Sequence, residues 1–235
     1  MMIQFTTLLF GGKGIITIGY NMTYFNEYDL AFADIMKNGT NVFTTLFEYV
    51  LGKADVRPFF LREPKVYISV VRNPYDRLVS QFYHVNRKII WQLRYSVHFP
   101  FFRKWVQETY ENKTDCNQQD DGHILPQNWI IQYYQYPLPY HIFKLEELIP
   151  HELFFFLELD DERKQDIDLK FNEIKIEYDN NGHHANNTLK QGIWQSFYDS
   201  KTIEICNTFF LKDFEAFNYE IIEPSVWKNI PAKLI

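Results

Sequence analysis

Apolar positions change their spacing several times along the N-terminal part of the chain. Before residue 31 they come in short runs separated by glycines. Leu8-Leu9-Phe10-Gly11-Gly12-Lys13-Gly14-Ile15-Ile16 reads as a hairpin whose glycines supply positive φ at the turn. Its Gly-Gly-Lys-Gly core lacks the GxxxxGK[ST] spacing of a phosphate loop. Ala31 to Met36 is a strand candidate, and Lys37-Asn38-Gly39-Thr40-Asn41 is the loop after it. Val42, Phe43, Leu46, Phe47, Val50 and Leu51 then fall on one helical face, with Gly52 where a helix stop belongs. A second strand–loop–helix unit follows. Val66 to Val71 is β-branched and aromatic, Asn73 suits an N-cap and Pro74 a first helical position, and Leu78, Val79, Phe82 and Val85 form an apolar stripe.

Two such units in tandem predict an α/β fold with a central parallel sheet flanked by helices. Residues 86–112 read as irregular helix rich in aromatics, and 113–122 as a polar loop. His141 to Leu145 is a third strand candidate. The charged stretch Asp160 to Asp168 predicts a solvated helix, and Asp179 to Thr188 a loop. Ile203, Cys206, Phe209, Phe210 and Phe214 suggest one amphipathic helix near the end. No repeat and no linker divides the chain, so residues 1–235 are expected to form a single domain.

Composition narrows the class. Hydrophobic residues make up 46% of the chain, enough for a substantial core. The formal net charge of -6 argues against a broad nucleic-acid binder, although a local basic pocket for an anionic cofactor fits within a negative total. The two cysteines, Cys116 and Cys206, have no metal or redox spacing; reduced thiols are the preferred reading and a disulfide the alternative. Met1 to Phe10 lacks a basic n-region, and its apolar run is broken by Gln4, Thr6 and Thr7. Without a signal peptide or a membrane-spanning run, the chain is expected to be cytoplasmic and not stably inserted in a membrane.

An anionic cofactor needs backbone N–H groups, a helix N-terminus and a few cationic or hydroxyl side chains. The loop Lys37, Asn38, Gly39, Thr40, Asn41 supplies all of these. Arg72 ends the second strand, where its guanidinium can fork onto a phosphate, and Ser80 adds a hydroxyl in the following helix. Each group alone also fits an ordinary turn or a capped sheet edge.

Together they carry a resemblance. Val71 to Ser80, within VVRNPYDRLVSQFYH, resembles the 3′-phosphate motif of sulfotransferases that use 3′-phosphoadenosine 5′-phosphosulfate (PAPS), and in particular their carbohydrate (Golgi-type) branch. IMKNGTN resembles that family's 5′-phosphosulfate loop, in the right order and spacing. His123-Ile124-Leu125-Pro126-Gln127 is similar to the family's H-x-x-P-Q element, Phe143 to Leu148 to its strand ending in E-x-L, and Tyr198 to Tyr219 to its C-terminal helix. The resemblance spans about residues 31–220. It departs from the family pattern at Met36, where proline is usual, at Asn41 and at Asn218.

The resemblance implies a P-loop-like sulfotransferase fold and transfer of a sulfuryl group from PAPS to a hydroxyl, with a glycan as the expected acceptor. It implies that Lys37 stabilises the bridging oxygen, that Asn38 to Asn41 hold the 5′-phosphate and sulfate, and that Arg72 and Ser80 hold the 3′-phosphate. Lys190 follows a loop that folds over the nucleotide in related enzymes. His123 is the first candidate for the general base and Glu146 the second. No metal is required by this scheme; no cluster has metal-ligand spacing, and His183-His184 reads as a polar loop pair. The adenine-stacking aromatic stays open among many Phe and Tyr. Two rivals remain. A P-loop kinase would need a Walker-type loop and a Mg²⁺ carboxylate, and a non-catalytic glycan-binding protein would keep the fold without the chemistry.

Overall fold

The structure, a computed structural model, describes residues 6–8, 16–18, 22–52, 64–90, 92–111, 124–133, 140–180, 194–225 and 227. Strands β1 (Thr6–Leu8) and β2 (Ile16–Ile18) pair antiparallel with Leu8 opposite Ile16, the hairpin that the glycine-separated runs predict. A four-stranded sheet follows, in the order β3 (Met22–Phe25), β4 (Leu30–Ala33), β5 (Val66–Val71) and β6 (Tyr140–Lys144). Strands β4, β5 and β6 run parallel, and β3 is an antiparallel edge that the apolar pattern did not reveal. The parallel strands alternate between two apolar faces, which is how a sheet covered on both sides is built.

The chain divides into two compact units. The first contains the sheet, α1 (Thr40–Leu51) and all but the end of α6 (Asp161–Asn180). The predicted stripe on α1 is real: Phe43, Leu46, Phe47 and Leu51 are buried against Phe32, Ile68 and Val70 on one face of the sheet. A 3-10 turn at Pro150–Phe154 adds Leu153 and Phe154 to this core. Phe47 lies at its centre, fully buried, with ring centroids 4.9 Å from Phe32, 5.0 Å from Phe154 and 5.6 Å from Phe25. Among the described residues of α6, Ile167 and Ile174 are fully enclosed, Phe171 and Tyr178 pack half-buried beside them, and the exposed positions are mostly polar or charged.

The second unit packs α2 (Pro74–Val85), α4 (Tyr95–Tyr110), α7 (Ser200–Phe209) and α8 (Leu211–Phe217) around an aromatic core; α3 (Arg87–Ile90) links α2 to α4. Asn73 caps α2 by accepting a hydrogen bond from the Tyr75 N–H, and Pro74 takes the first helical position, as the sequence indicates. Leu78, Val79 and Phe82 pack on Phe102, Phe197 and Cys206. Arg103 of α4 donates to the carbonyls of Phe197 and Tyr198, tying the 3-10 turn at Trp194–Phe197 to the core.

Several boundaries differ from the sequence reading. Strand β4 stops at Ala33 because the chain turns at once, with the Asn38 N–H bonded to the Ile35 carbonyl. Helix α1 starts at Thr40, so Thr40 and Asn41 belong to its first turn and not to the loop. The predicted C-terminal helix is two helices broken at Phe210. The break lets Asp213 turn inward, where its fully buried carboxylate accepts the Gln127 and Asn128 N–H groups at 2.8 and 2.7 Å and caps α5 (Gln127–Tyr133). Burial pushes the Asp213 carboxyl up to about 6, while Arg77 and the two N–H groups pull it back. Cys206 is a free, buried thiol. The predicted loop at 113–122 and most of the one at 179–188 lie outside the described residues, whereas Asp179 and Asn180 close α6.

Phe47→Ala removes the ring that joins α1 to β4 and to the 3-10 turn. It is expected to destabilise the fold by about 3–5 kcal/mol in urea unfolding followed by far-ultraviolet circular dichroism. The exposed Tyr49→Ala on the same helix should cost about 1 kcal/mol or less.

Candidate active site

The crevice end of a parallel sheet is its carboxyl end, where strands hand over to helices. At that end β4 leads into the loop from Asp34 to Gly39, and then into α1. The loop is tightly bent. Lys37 has φ 75° and Gly39 φ 84°, so two residues within three positions adopt the left-handed conformation. Gly39 needs to be glycine on two counts: its φ, and the space a Cβ would take, 3.0 Å from a Phe43 ring carbon. Lys37 has no such freedom and is held from outside.

Two hydrogen bonds from the loop to β5 and the residue after it do the holding. Asn38 is buried, and its Nδ2 donates to the Val70 carbonyl at 2.7 Å. Arg72, also buried, donates from Nη1 to the Lys37 carbonyl at 3.1 Å. A third bond closes the loop on itself, the Thr40 hydroxyl donating to the Asp34 carboxylate. Gly39 occupies the N-cap position of α1 and has no side chain to satisfy the first-turn N–H groups. Such a helix start, preceded by left-handed turns, gathers N–H dipoles toward one point and suits an anion.

The predicted site residues sort as follows. Lys37, Asn38, Gly39, Thr40, Asn41 and Arg72 come together around this one turn, all within the first unit. Lys37 and Thr40 are half-buried, and Gly39 and Asn41 are exposed. Ser80 belongs to the second unit, on α2, and is fully buried. Glu146 is exposed in the turn after β6; its strand is separated from β4 by β5, roughly 10 Å at the usual strand spacing. His123, Lys190 and the His183-His184 pair lie outside the described residues. Among the described residues no group of three or more His, Cys, Asp or Glu side chains could hold a metal ion. None of their helices is long and apolar enough to cross a membrane.

Sequence reasoning missed Asp34 and the anchoring role of Asn38. A lone carboxylate in an otherwise apolar run, three residues before the loop lysine, was a visible signal for the first. The second depends on a backbone carbonyl on another strand, which no local pattern shows.

A parallel-dominated α/β sheet whose strand hands over to its helix through a left-handed turn is an arrangement suited to anions. Over residues 20–220 the chain matches the sulfotransferase family, and it belongs to that family. It is accordingly an enzyme of sulfuryl transfer, on the fold that the sequence motifs imply. No curated protein and no solved structure matches the chain.

Gly39→Ala forces a Cβ into the left-handed region and against Phe43. Equilibrium unfolding is expected to show a loss of about 1–2 kcal/mol. Asn41→Ala, at an exposed first-turn position of the same helix, is expected to stay within about 0.5 kcal/mol of the wild type.

Proposed function

We propose that this enzyme transfers the sulfuryl group of PAPS to a hydroxyl of a carbohydrate acceptor, using residues 1–235 as one catalytic domain. The observation that carries the reading is the Lys37–Asn41 turn, locked to its neighbouring strand by Arg72 and Asn38 at the uncapped start of α1. The carbohydrate acceptor is favoured by the likeness of Val71 to Ser80 to the carbohydrate branch of the family.

Sulfuryl transfer is an in-line displacement in which the protein mainly positions the groups and stabilises charge. The N–H groups at the start of α1, with Thr40 and Asn41, take the 5′-phosphate and sulfate of the donor. Lys37, at the turn, supplies its ammonium to the bridging oxygen as the S–O bond breaks. Arg72 takes the 3′-phosphate with the guanidinium that also donates to the Lys37 carbonyl. That shared use couples the two ends of the donor, because the residue that reads one phosphate also shapes the turn that binds the other. Ser80 is assigned to the 3′-phosphate from the motif alone, and Lys190 from its place after a loop that folds over the nucleotide in related enzymes. His123 and Glu146 are candidates for the base that accepts the acceptor's proton. No metal takes part in this scheme.

Calorimetry checks the donor. Adenosine 3′,5′-bisphosphate is expected to bind in the micromolar range with no divalent metal present. Tighter, Mg²⁺-dependent binding of ATP would favour phosphoryl transfer instead. Incubation of a glycan panel with radiolabelled PAPS checks the acceptor class, and labelling of no sugar would contradict it.

Lys37→Ala separates chemistry from binding. Charge on the bridging oxygen grows toward the transition state, so the variant is expected to lose about 10²–10³ in kcat. Its affinity for adenosine 3′,5′-bisphosphate should stay within about tenfold of wild type, since the backbone N–H groups and Arg72 remain. Near-normal turnover with poor nucleotide binding would reduce Lys37 to simple charge attraction.

A further inference from the structure

The tail after Glu220 has no part in the motifs or in the proposed scheme, yet it returns to one of them. Within the second unit, α8 stops at Asn218, whose φ of 52° turns the chain. The residues beyond it bond back to α7 and α2. The Asn207 Nδ2 donates to the Ile222 carbonyl at 2.9 Å, and the Ile222 N–H donates to the Tyr75 hydroxyl at 2.9 Å. That hydroxyl donates in turn to the Asn207 Oδ1 at 2.5 Å, which closes a ring of three residues. Farther along, the half-buried Trp227 stacks on Trp194 with centroids 6.0 Å apart and planes at 15°. Trp194 stacks in the same way on Tyr75, at 5.1 Å and 8°. The Trp227 indole N–H donates to the Tyr198 carbonyl at 3.4 Å, and the Tyr198 hydroxyl donates to the Tyr75 carbonyl at 2.9 Å. The tail thus holds Tyr75 at its hydroxyl through Ile222, and over its ring face through Trp194 and Trp227.

Tyr75 is fully buried in the first turn of α2, three residues after Arg72 and five before Ser80 in the chain. A phenylalanine would fill the same core. The hydroxyl adds an anchor that only the tail and α7 use, and the stacked rings fix the side chain from a second direction. We propose that the tail is a strap that positions the 3′-phosphate motif, with Trp227 as a positioning residue for donor binding. This rests on the assignment of Arg72 and Ser80 to the 3′-phosphate. The strap acts through Tyr75 and not on the ligand: it keeps the start of α2 in one place, and with it the groups that read the phosphate. A charge-assisted hydrogen bond depends steeply on geometry, so a displacement of about 1 Å weakens it strongly. The 5′ end of the donor is taken by the α1 turn, which belongs to the first unit. Loosening the strap therefore costs recognition of the 3′-phosphate and spares the 5′ end.

Trp227→Ala in the full chain removes the outer ring of the stack. Calorimetry is expected to show adenosine 3′,5′-bisphosphate bound about 10-fold more weakly, with adenosine 5′-monophosphate, which lacks the 3′-phosphate, within about twofold of wild type. Trp227→Phe, which restores a ring over Trp194, is expected to bring the bisphosphate back to within about threefold. In steady-state assays with labelled PAPS the Ala variant should raise KM for the donor by a similar factor and leave kcat within about threefold, the signature of lost ground-state binding. Trp227→Leu, which keeps apolar bulk without a stack, takes the place of the Ala variant if thermal melting shows that the latter does not fold, with the same expectations. Bisphosphate affinity within about twofold of wild type, or equal weakening of both nucleotides, would overturn the role of Trp227 and leave the donor site standing. A wild-type protein that binds the bisphosphate no better than the monophosphate would instead overturn the 3′-phosphate assignment on which the inference rests.

Discussion

The turn between β4 and α1 passes through two left-handed residues, and only one of them is glycine. Lys37 at φ 75° carries a conformational cost of order 1 kcal/mol. The hydrogen bond from Arg72 to the Lys37 carbonyl offsets it, with that from Asn38 to Val70 beside it. A charge-assisted hydrogen bond contributes about 1.5–3 kcal/mol, enough to hold one such residue. The α1 start and the position of the Thr40 hydroxyl follow from this clasp. It requires β4 and β5 to be neighbours in parallel register, with Ala33 opposite Ser69, so that Arg72 emerges level with the loop. The aromatic core under α1 fixes that register from below.

Much of this was legible in the sequence. The β5–α2 unit shows clearly because strand chemistry, cap and proline stand in one uninterrupted run from Val66 to Val85. The α1 stripe was equally plain, since six apolar residues at helical spacing have no other economical reading. Strand β3 was hidden: its Met-Thr-Tyr-Phe run does not alternate polar with apolar, and its role as an antiparallel edge is a property of the sheet. The break at Phe210 was hidden for a related reason. Apolar residues continue through it at nearly helical spacing, and the break accompanies the inward turn of Asp213 to N–H groups some 85 residues earlier.

At the site, residue types were readable and partnerships were not. Lys37, Gly39, Thr40 and Arg72 announce an anion through their chemistry. That Arg72 is tied to the loop, and that Thr40 already has an acidic partner, are facts of tertiary geometry. On the proposed reading they change how the site works, because an incoming anion competes with the Asp34 carboxylate for the Thr40 hydroxyl. A net charge of -6 over the chain is compatible with the proposed reading, in which a few local cations and oriented N–H groups take the anion.

The central claim is that the turn held by Arg72 and Asn38 is where the donor's 5′ end is bound. A crystal structure of the protein with adenosine 3′,5′-bisphosphate tests it most directly. The account predicts the 5′-phosphate on the N–H groups of residues 38–41, with Lys37 still left-handed, Arg72 still on the Lys37 carbonyl, and the Thr40 hydroxyl turned from Asp34 to a phosphate oxygen. A nucleotide bound elsewhere, or a turn that unwinds to admit it, would contradict the account.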